Sequence, residues 1–133
     1  MGPFELQLRA FAEKAKDNAD LVTRKVVLDV WARIIERSPV DTGRFRANWV
    51  YSINAKVEQT KAVAGTSASP APAPGAPDVE DGAFGRVHFI TNSLPYAQRL
   101  ETGYSNQAPL GMVGLTVTEF NAIVGNAARE VNP

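Results

Sequence analysis

Apolar residues recur at steps of three or four along the first part of the chain: Phe4, Leu8, Phe11, Ala15, Ala19, Val22, Val26, Val30 and Ile34. That spacing is the helical period, and it predicts a long amphipathic helix over residues 3 to 37. Pro3 suits a first helical turn, where its missing amide is not needed. Unbroken, such a helix runs roughly 50 Å at 1.5 Å per residue, longer than a compact domain of this size requires. Asp17-Asn18 is the weakest point, so two helices with a bend there are the alternative. Val27, Trp31 and Ile35 add a second apolar line, so the C-terminal half is expected to pack on the rest of the fold. The N-terminal half lacks obvious cover within one chain. It is expected either to meet another subunit or to lie flat on a sheet.

The period then changes. From Trp49 to about Ala64 it becomes two: Tyr51, Ile53, Ala55 and Val57 face one way, and Ser52, Asn54, Lys56 and Glu58 the other. Gly85 to Thr91 resumes that alternation, with Val87, Phe89 and Thr91 opposed to His88 and Ile90. Between the two strands, residues 65–85 hold the run Pro70-Ala71-Pro72-Ala73-Pro74, which neither pairs in a sheet nor continues a helix. This is expected to be a flexible loop, either a solvated tip or an arm that orders against a neighbour. After it, Ser93 is a candidate cap, Pro95 suits a first turn and Gly103 a helix end. Leu94, Ala97 and Leu100 would form the inner face of that short helix. Tyr104 to Gly111 reads as a polar loop. Met112 to Val131 reads as one helix with Val113, Val117, Phe120, Val124, Ala127 and Val131 inward, and Gly125 as a close helix contact.

The pattern gives an α+β fold in a single domain, 1–133. A long N-terminal helix and a C-terminal helix pack on a small antiparallel sheet, with a long Pro/Ala-rich loop between strands. Its parts are the helix to 37, a hinge over 38–49, strands over 50–92 and a helical C-terminal part over 93–133.

The hinge is Ser38-Pro39-Val40-Asp41-Thr42-Gly43-Arg44-Phe45-Arg46-Ala47-Asn48-Trp49. Pro39 pushes Ser38 out of helical geometry, so the helix should stop near Arg37. Asp41 and Thr42 can cap backbone donors, and Gly43 tolerates a positive φ. If the next residues are extended, Arg44 and Arg46 share a face. Asp41-Thr42-Gly43 also matches the catalytic triplet of aspartic proteases. That chemistry needs a dimer with two buried carboxylates sharing a proton, and Arg44 and Arg46 would hold them ionised. A capped turn is the better reading.

Composition narrows the classes. A chain of 133 residues with 44% hydrophobic and 21% charged residues is an ordinary globular domain. Fourteen basic residues balance fourteen acidic ones, with nine against seven in the first 50 positions. A nucleic-acid or anionic-membrane binder would show a basic excess. With no cysteine, disulfides, thiolate metal sites and cysteine nucleophiles are excluded. His88 is the only histidine and has no carboxylate cluster around it in sequence, so it reads as a surface or stacking residue. No run is long enough to span a bilayer and no signal-peptide pattern opens the chain, so a cytoplasm-like compartment is expected. No catalytic residue, metal ligand or cofactor site is expected.

Two blocks carry a resemblance. The hinge, Ser38 to Trp49, resembles the opening signature of tail-completion, or neck, proteins of long-tailed bacteriophages. The second block is similar too: Asn92, Pro95-Tyr96-Ala97, Leu100-Glu101, Gly103, then Ala108-Pro109 and Gly111-Met112-Val113. The order of elements also matches, and the likeness covers nearly the whole chain apart from the Pro-Ala loop. It implies a structural virion protein, assembled in the host cytoplasm, that forms a ring, expected hexameric, at the head–tail junction. Its implied partners are the tail terminator and the head-closure or connector proteins, with double-stranded DNA passing through the lumen without sequence recognition and no membrane.

Ring subunits meet through heterologous surfaces. The candidate subunit-contact residues are Asp41, Arg44, Arg46, Trp49, Tyr96, Arg99 and Glu101. Arg44 and Arg46 offer planar donors, and Asp41 and Glu101 are candidate partners across the interface. Alternatively, Arg44 and Asp41 form a local turn contact and Glu101 caps its own helix. Other readings are a tail terminator or other minor tail protein, a module that binds a partner through the Pro-Ala loop, and the protease.

Overall fold

The computed structural model describes residues 3–132 apart from Tyr104, Asn106 and residues 108–110, and in the first helix it describes side chains from Ala15 onward. The expectations placed on the Phe4, Leu8 and Phe11 side chains, and on Tyr104 and Ala108-Pro109, lie outside the described residues. The fold is α+β: helices around a two-stranded antiparallel sheet.

The first helix, α1 (Pro3–Arg37), is one continuous element of 35 residues, with no break at Asp17-Asn18. It stops where Pro39 removes an amide. The Ser38 amide and hydroxyl turn back onto the Ile35 and Ile34 carbonyls at 3.2 and 2.7 Å, taking up carbonyls that the ended helix leaves open. The hinge residues then form a helical turn, α2 (Arg44–Ala47), so the extended backbone that would place Arg44 and Arg46 on one face does not occur.

Strand β1 (Trp49–Ile53) pairs antiparallel with β2 (His88–Asn92), Trp49 opposite Asn92 and Tyr51 opposite Ile90. β1 is shorter than its alternating pattern, which ran to Ala64. Asn54 takes a left-handed φ of 67°, and the Ala55 amide turns back to the Ile53 carbonyl at 2.8 Å, ending the ladder. The long connection packs on the body at three small or branched residues, Ala71, Val79 and Ala83, all buried.

The main core lies where Trp31, Ile34 and Ile35 of α1 meet Phe45, Trp49, Leu94 and Met112. Phe45 and Trp49 meet edge to face at 5.7 Å. A second cluster joins Val27 of α1 to Val79 and Ala83 of the loop. This wider burial in the second half of α1 follows its two apolar lines.

Helix α3 (Ala97–Glu101) has Tyr96 at its N-cap and no side-chain cap, so Ser93 does not take the capping role expected of it; Asn92 accepts the Leu94 amide at 3.3 Å in the turn before the helix. Gly103 follows the helix with a φ of 91°. The expected single helix from Met112 is two: α4 (Val113–Thr118) and α5 (Phe120–Val131), with Glu119 between them. Their register also differs from the expected stripe. Thr116, Ile123 and Ala127 are buried, whereas Val113, Val117 and Phe120 are exposed. A Cβ at Gly125 would meet only the end of Arg129 at 3.5 Å, so this glycine marks no close helix contact.

Candidate assembly surface

The hinge is built by hydrogen bonds that cross the chain. The Ser38 hydroxyl, donating to Ile34, also accepts the Trp49 indole N–H at 2.8 Å inside the core, so both ends of the hinge are tied together. Asn48, fully buried, donates to the Arg44 and Lys61 carbonyls at 2.7 and 3.3 Å and accepts the Lys61 amide at 2.6 Å. It joins α2 to the strand-like stretch after β1. A buried carboxamide with its groups paired costs little and specifies one arrangement.

Thr42 caps a nearby backbone donor as its residue type suggests, whereas Asp41 reaches across to the loop instead. The Thr42 hydroxyl accepts the Arg44 amide at 3.3 Å, and Asp41 accepts the Ser67 hydroxyl. Gly43 follows with a φ of 84°. The reason for glycine is partly the Pro-Ala loop: Ala71 donates its amide to the Thr42 carbonyl at 2.8 Å, between Gly43 and Gly65. A Cβ at Gly43 would come within 2.6 Å of the Ala71 backbone, and one at Gly65 within 2.2 Å of the Thr42 oxygen. Arg46 then holds the Ala71 carbonyl at 2.9 Å. The loop is thus seated on the hinge.

The seven candidate contact residues separate into groups. Trp49 is a core residue, 5% exposed. Arg46 is turned inward to Ala71. Arg99 is exposed. Asp41, Arg44 and Tyr96 come together around a cleft of about 340 Å³ between the hinge and α3. Among the described residues no ion pair joins Asp41 to Arg44, so the local turn contact considered for them is replaced by the Asp41–Ser67 bond. Tyr96 packs on Phe45 with ring centroids 6.2 Å apart. Glu101 caps a helix, but not its own. Its Oε1 accepts the Met112 and Val113 amides at 3.0 and 2.9 Å, and its Oε2 accepts the Gly114 amide at 2.7 Å. A carboxylate there meets the open donors and positive end of α4.

A larger surface was not legible in the sequence. An apolar groove of about 950 Å³ runs along α1 from Ala15 to Val30, closed on its sides by residues 84–90 and by α5. Its rim carries Phe84, Val87 and Phe120, which are 60%, 59% and 47% exposed. The stripe Ala15, Ala19, Val22, Val26 and Val30 was evident from its spacing, but its position beside an open groove was not. Exposed side chains this large, gathered at one groove, mark an interaction surface more often than an isolated exposed residue does.

At one end of the groove His88 stacks on Tyr51 with ring centroids 5.9 Å apart. Its Nε2 lies 2.8 Å from the Ala83 carbonyl, which can only accept, so Nε2 carries the hydrogen. The other ring nitrogen, Nδ1, lies 2.7 Å from the Tyr51 hydroxyl. Burial, with the Glu80 charge adding to it, raises the Tyr51 pKa above 10.0. The network anchors the loop to the sheet. Near the other end of α1, Glu119 binds Arg37 and Arg33 at 2.5 and 3.1 Å. Hydrogen bonding to Arg37 holds the Glu119 carboxyl below its ordinary 4.5.

Among the described residues there is no cluster of His, Asp and Glu suited to a metal ion, and no helix long and apolar enough to cross a membrane. No family model, curated protein or solved structure matches the chain.

Proposed function

We propose that the chain is a structural protein of the phage neck, forming a ring that completes the tail and helps join it to the capsid connector. The observation that carries this reading is the open apolar groove on α1, flanked by exposed Phe84, Val87 and Phe120. An obligate interface is more apolar than ordinary surface, and a single copy leaves this one uncovered. The cleft of Asp41, Arg44 and Tyr96, which shares no lining residue with the groove, supports the reading as well. It supplies a second, chemically different surface, which a heterologous ring contact requires. The element order, from long helix through hinge and paired strands to the short Tyr96–Glu101 segment and a helical end, is the order on which the family resemblance rests.

On this reading the ring is hexameric and meets the tail terminator on one side and the head-closure or connector proteins on the other. Double-stranded DNA passes through the lumen without sequence recognition. A chain of zero net charge suits that passage, because phosphate contacts in number would hold DNA rather than let it slide.

The test is assembly in a phage lacking this chain. Filled heads and tails should accumulate unjoined, and adding the purified chain should restore joined particles. Normal virions without the chain, or a failure confined to an earlier step such as capsid formation, would count against the neck assignment.

A further inference from the structure

We infer that the cleft between the hinge and α3 receives residues 72–78 of a neighbouring copy, with the neighbour's Asp78 on Arg44. The inference deepens the ring reading by naming what one surface takes, and it rests on that reading.

The segment Pro72-Ala73-Pro74-Gly75-Ala76-Pro77-Asp78 holds three prolines in seven residues. Buried residues bracket it. Ala71, 5% exposed, is seated on the hinge, and Val79, 4% exposed, packs with Val27 of α1. Between these anchors Pro72, Ala73, Gly75, Ala76 and Asp78 are exposed. A Cβ placed on Gly75 would meet nothing within 4 Å. A proline-rich span pinned at both ends has little chain entropy left to lose on docking, which suits it to act as a ligand. Its own cleft is closed to it, because the anchors lead it from the hinge to α1 and none of residues 72–78 lines that cleft.

The cleft offers what such a segment needs. Phe45 and Tyr96 line it, with Pro39, Val40 and Leu100 beside them. Proline-rich segments dock on aromatic-lined grooves of this kind. Proline has no amide hydrogen, so the segment presents mainly carbonyl acceptors. The cleft answers with donors. Among the described residues the Tyr96 hydroxyl makes no hydrogen bond, and the exposed Arg44 guanidinium makes neither a hydrogen bond nor an ion pair.

Charge selects the occupant and its direction. Arg44 is the cation of the cleft, and Asp41, its carboxylate, accepts the Ser67 hydroxyl. Asp78 ends the segment and has no ion-pair partner among the described residues. A guanidinium takes a carboxylate through paired donors, so this contact fixes which end of the segment enters beside α2. The cleft and the segment share no residue, so the contact joins different surfaces on two copies. Each copy then keeps a segment for one neighbour and a cleft for the other, as a closed ring requires.

The segment is tested as a peptide of residues 72–78 with blocked ends. It is added to the full chain carrying Asp78→Arg, whose own segment cannot then compete for Arg44, and binding is followed by amide chemical shifts. Saturable shifts are expected at the Thr42, Phe45 and Leu100 amides. The full chain carrying Arg44→Glu should bind this peptide several-fold more weakly, and should prefer a peptide carrying Asp78→Arg. Each variant is checked for an unchanged amide spectrum away from the cleft. No saturable shift at the cleft, or equal affinity of both peptides for both chains, overturns the contact. A ring at the virion neck whose clefts hold something other than residues 72–78 also overturns it, while the neck reading stands. Charge-selective binding by a chain that is absent from the virion neck would keep the contact and refute the neck reading.

Discussion

Glu101 and Gly114 stand thirteen positions apart, yet the Glu101 Oε2 accepts the Gly114 amide at 2.7 Å. With the Met112 and Val113 amides on Oε1, one carboxylate from α3 closes the start of α4. Glu101→Ala removes all three acceptor contacts. It should lower stability by about 1–2 kcal/mol, the range of a lost helix cap, read as a shift in the urea midpoint. Glu101→Gln keeps an acceptor oxygen and should lose less. An unchanged midpoint in Glu101→Ala would show that the cap contributes nothing.

Ser38→Ala tests the tie across the hinge. It leaves the Trp49 indole N–H without its acceptor, with Trp49 only 5% exposed. A buried unpaired donor costs about 1–3 kcal/mol. Thermal unfolding followed by Trp fluorescence is the measurement, and a wild-type melting temperature is the contrary outcome.

Gly43→Ala should disturb the seat of the Pro-Ala loop. The left-handed conformation costs a non-glycine residue about 1–2 kcal/mol, and a 2.6 Å approach to Ala71 adds a clash. Limited proteolysis should cut residues 65–80 faster in this variant and in Arg46→Ala. Equal cleavage rates in variant and wild type would mean that the loop is not held by Gly43 and Arg46.

Acid should weaken the junction between α4 and α5. Glu119 has a folded pKa below 4.5, lowered chiefly by its hydrogen bond to Arg37. A depressed carboxylate contributes stability above its unfolded value, and that contribution disappears as pH falls through the folded value. Stability should therefore drop below about pH 4.5, and Glu119→Gln should flatten that part of the profile. Parallel pH profiles for the two proteins would remove Glu119 from the explanation.

Arg44 is the exposed cation of the hinge cleft. Arg44→Ala should leave the monomer's melting temperature within about 0.5 kcal/mol equivalent of wild type, as surface substitutions do. It should also abolish ring assembly, seen by sedimentation and negative-stain imaging. Intact rings, or loss of folding, would remove Arg44 from the interface.

The periodic elements were legible because burial on one face imposes a period. α1, the β1–β2 pair and the α+β class follow from steps of three or four and then two. What depended on single hydrogen bonds was not legible. Asn54 ends β1 although Lys56 and Glu58 continue its alternation. α4 turns Val113 and Val117 outward because Glu101 holds its first amides and because Thr116 is satisfied inside: its hydroxyl donates to Met112 at 2.7 Å and accepts from Arg37 at 2.9 Å. A paired hydroxyl can be buried where an apolar stripe alone would predict valine. The hinge was marked by Pro39 and Gly43, but its fit to Ala71 joins positions far apart in sequence, beyond the reach of local pattern. The groove was illegible for the same reason, since it forms only when α1, residues 84–90 and α5 are brought side by side.

The most direct measurement is cryo-electron imaging of purified virions at the neck, with the chain located by fitting its long α1 and counted by symmetry. The account predicts a closed ring of this chain between the capsid connector and the tail tube, expected six-fold, with the α1 groove covered by a neighbouring copy. Virions that lack the chain, or that carry it elsewhere in the particle, would contradict it.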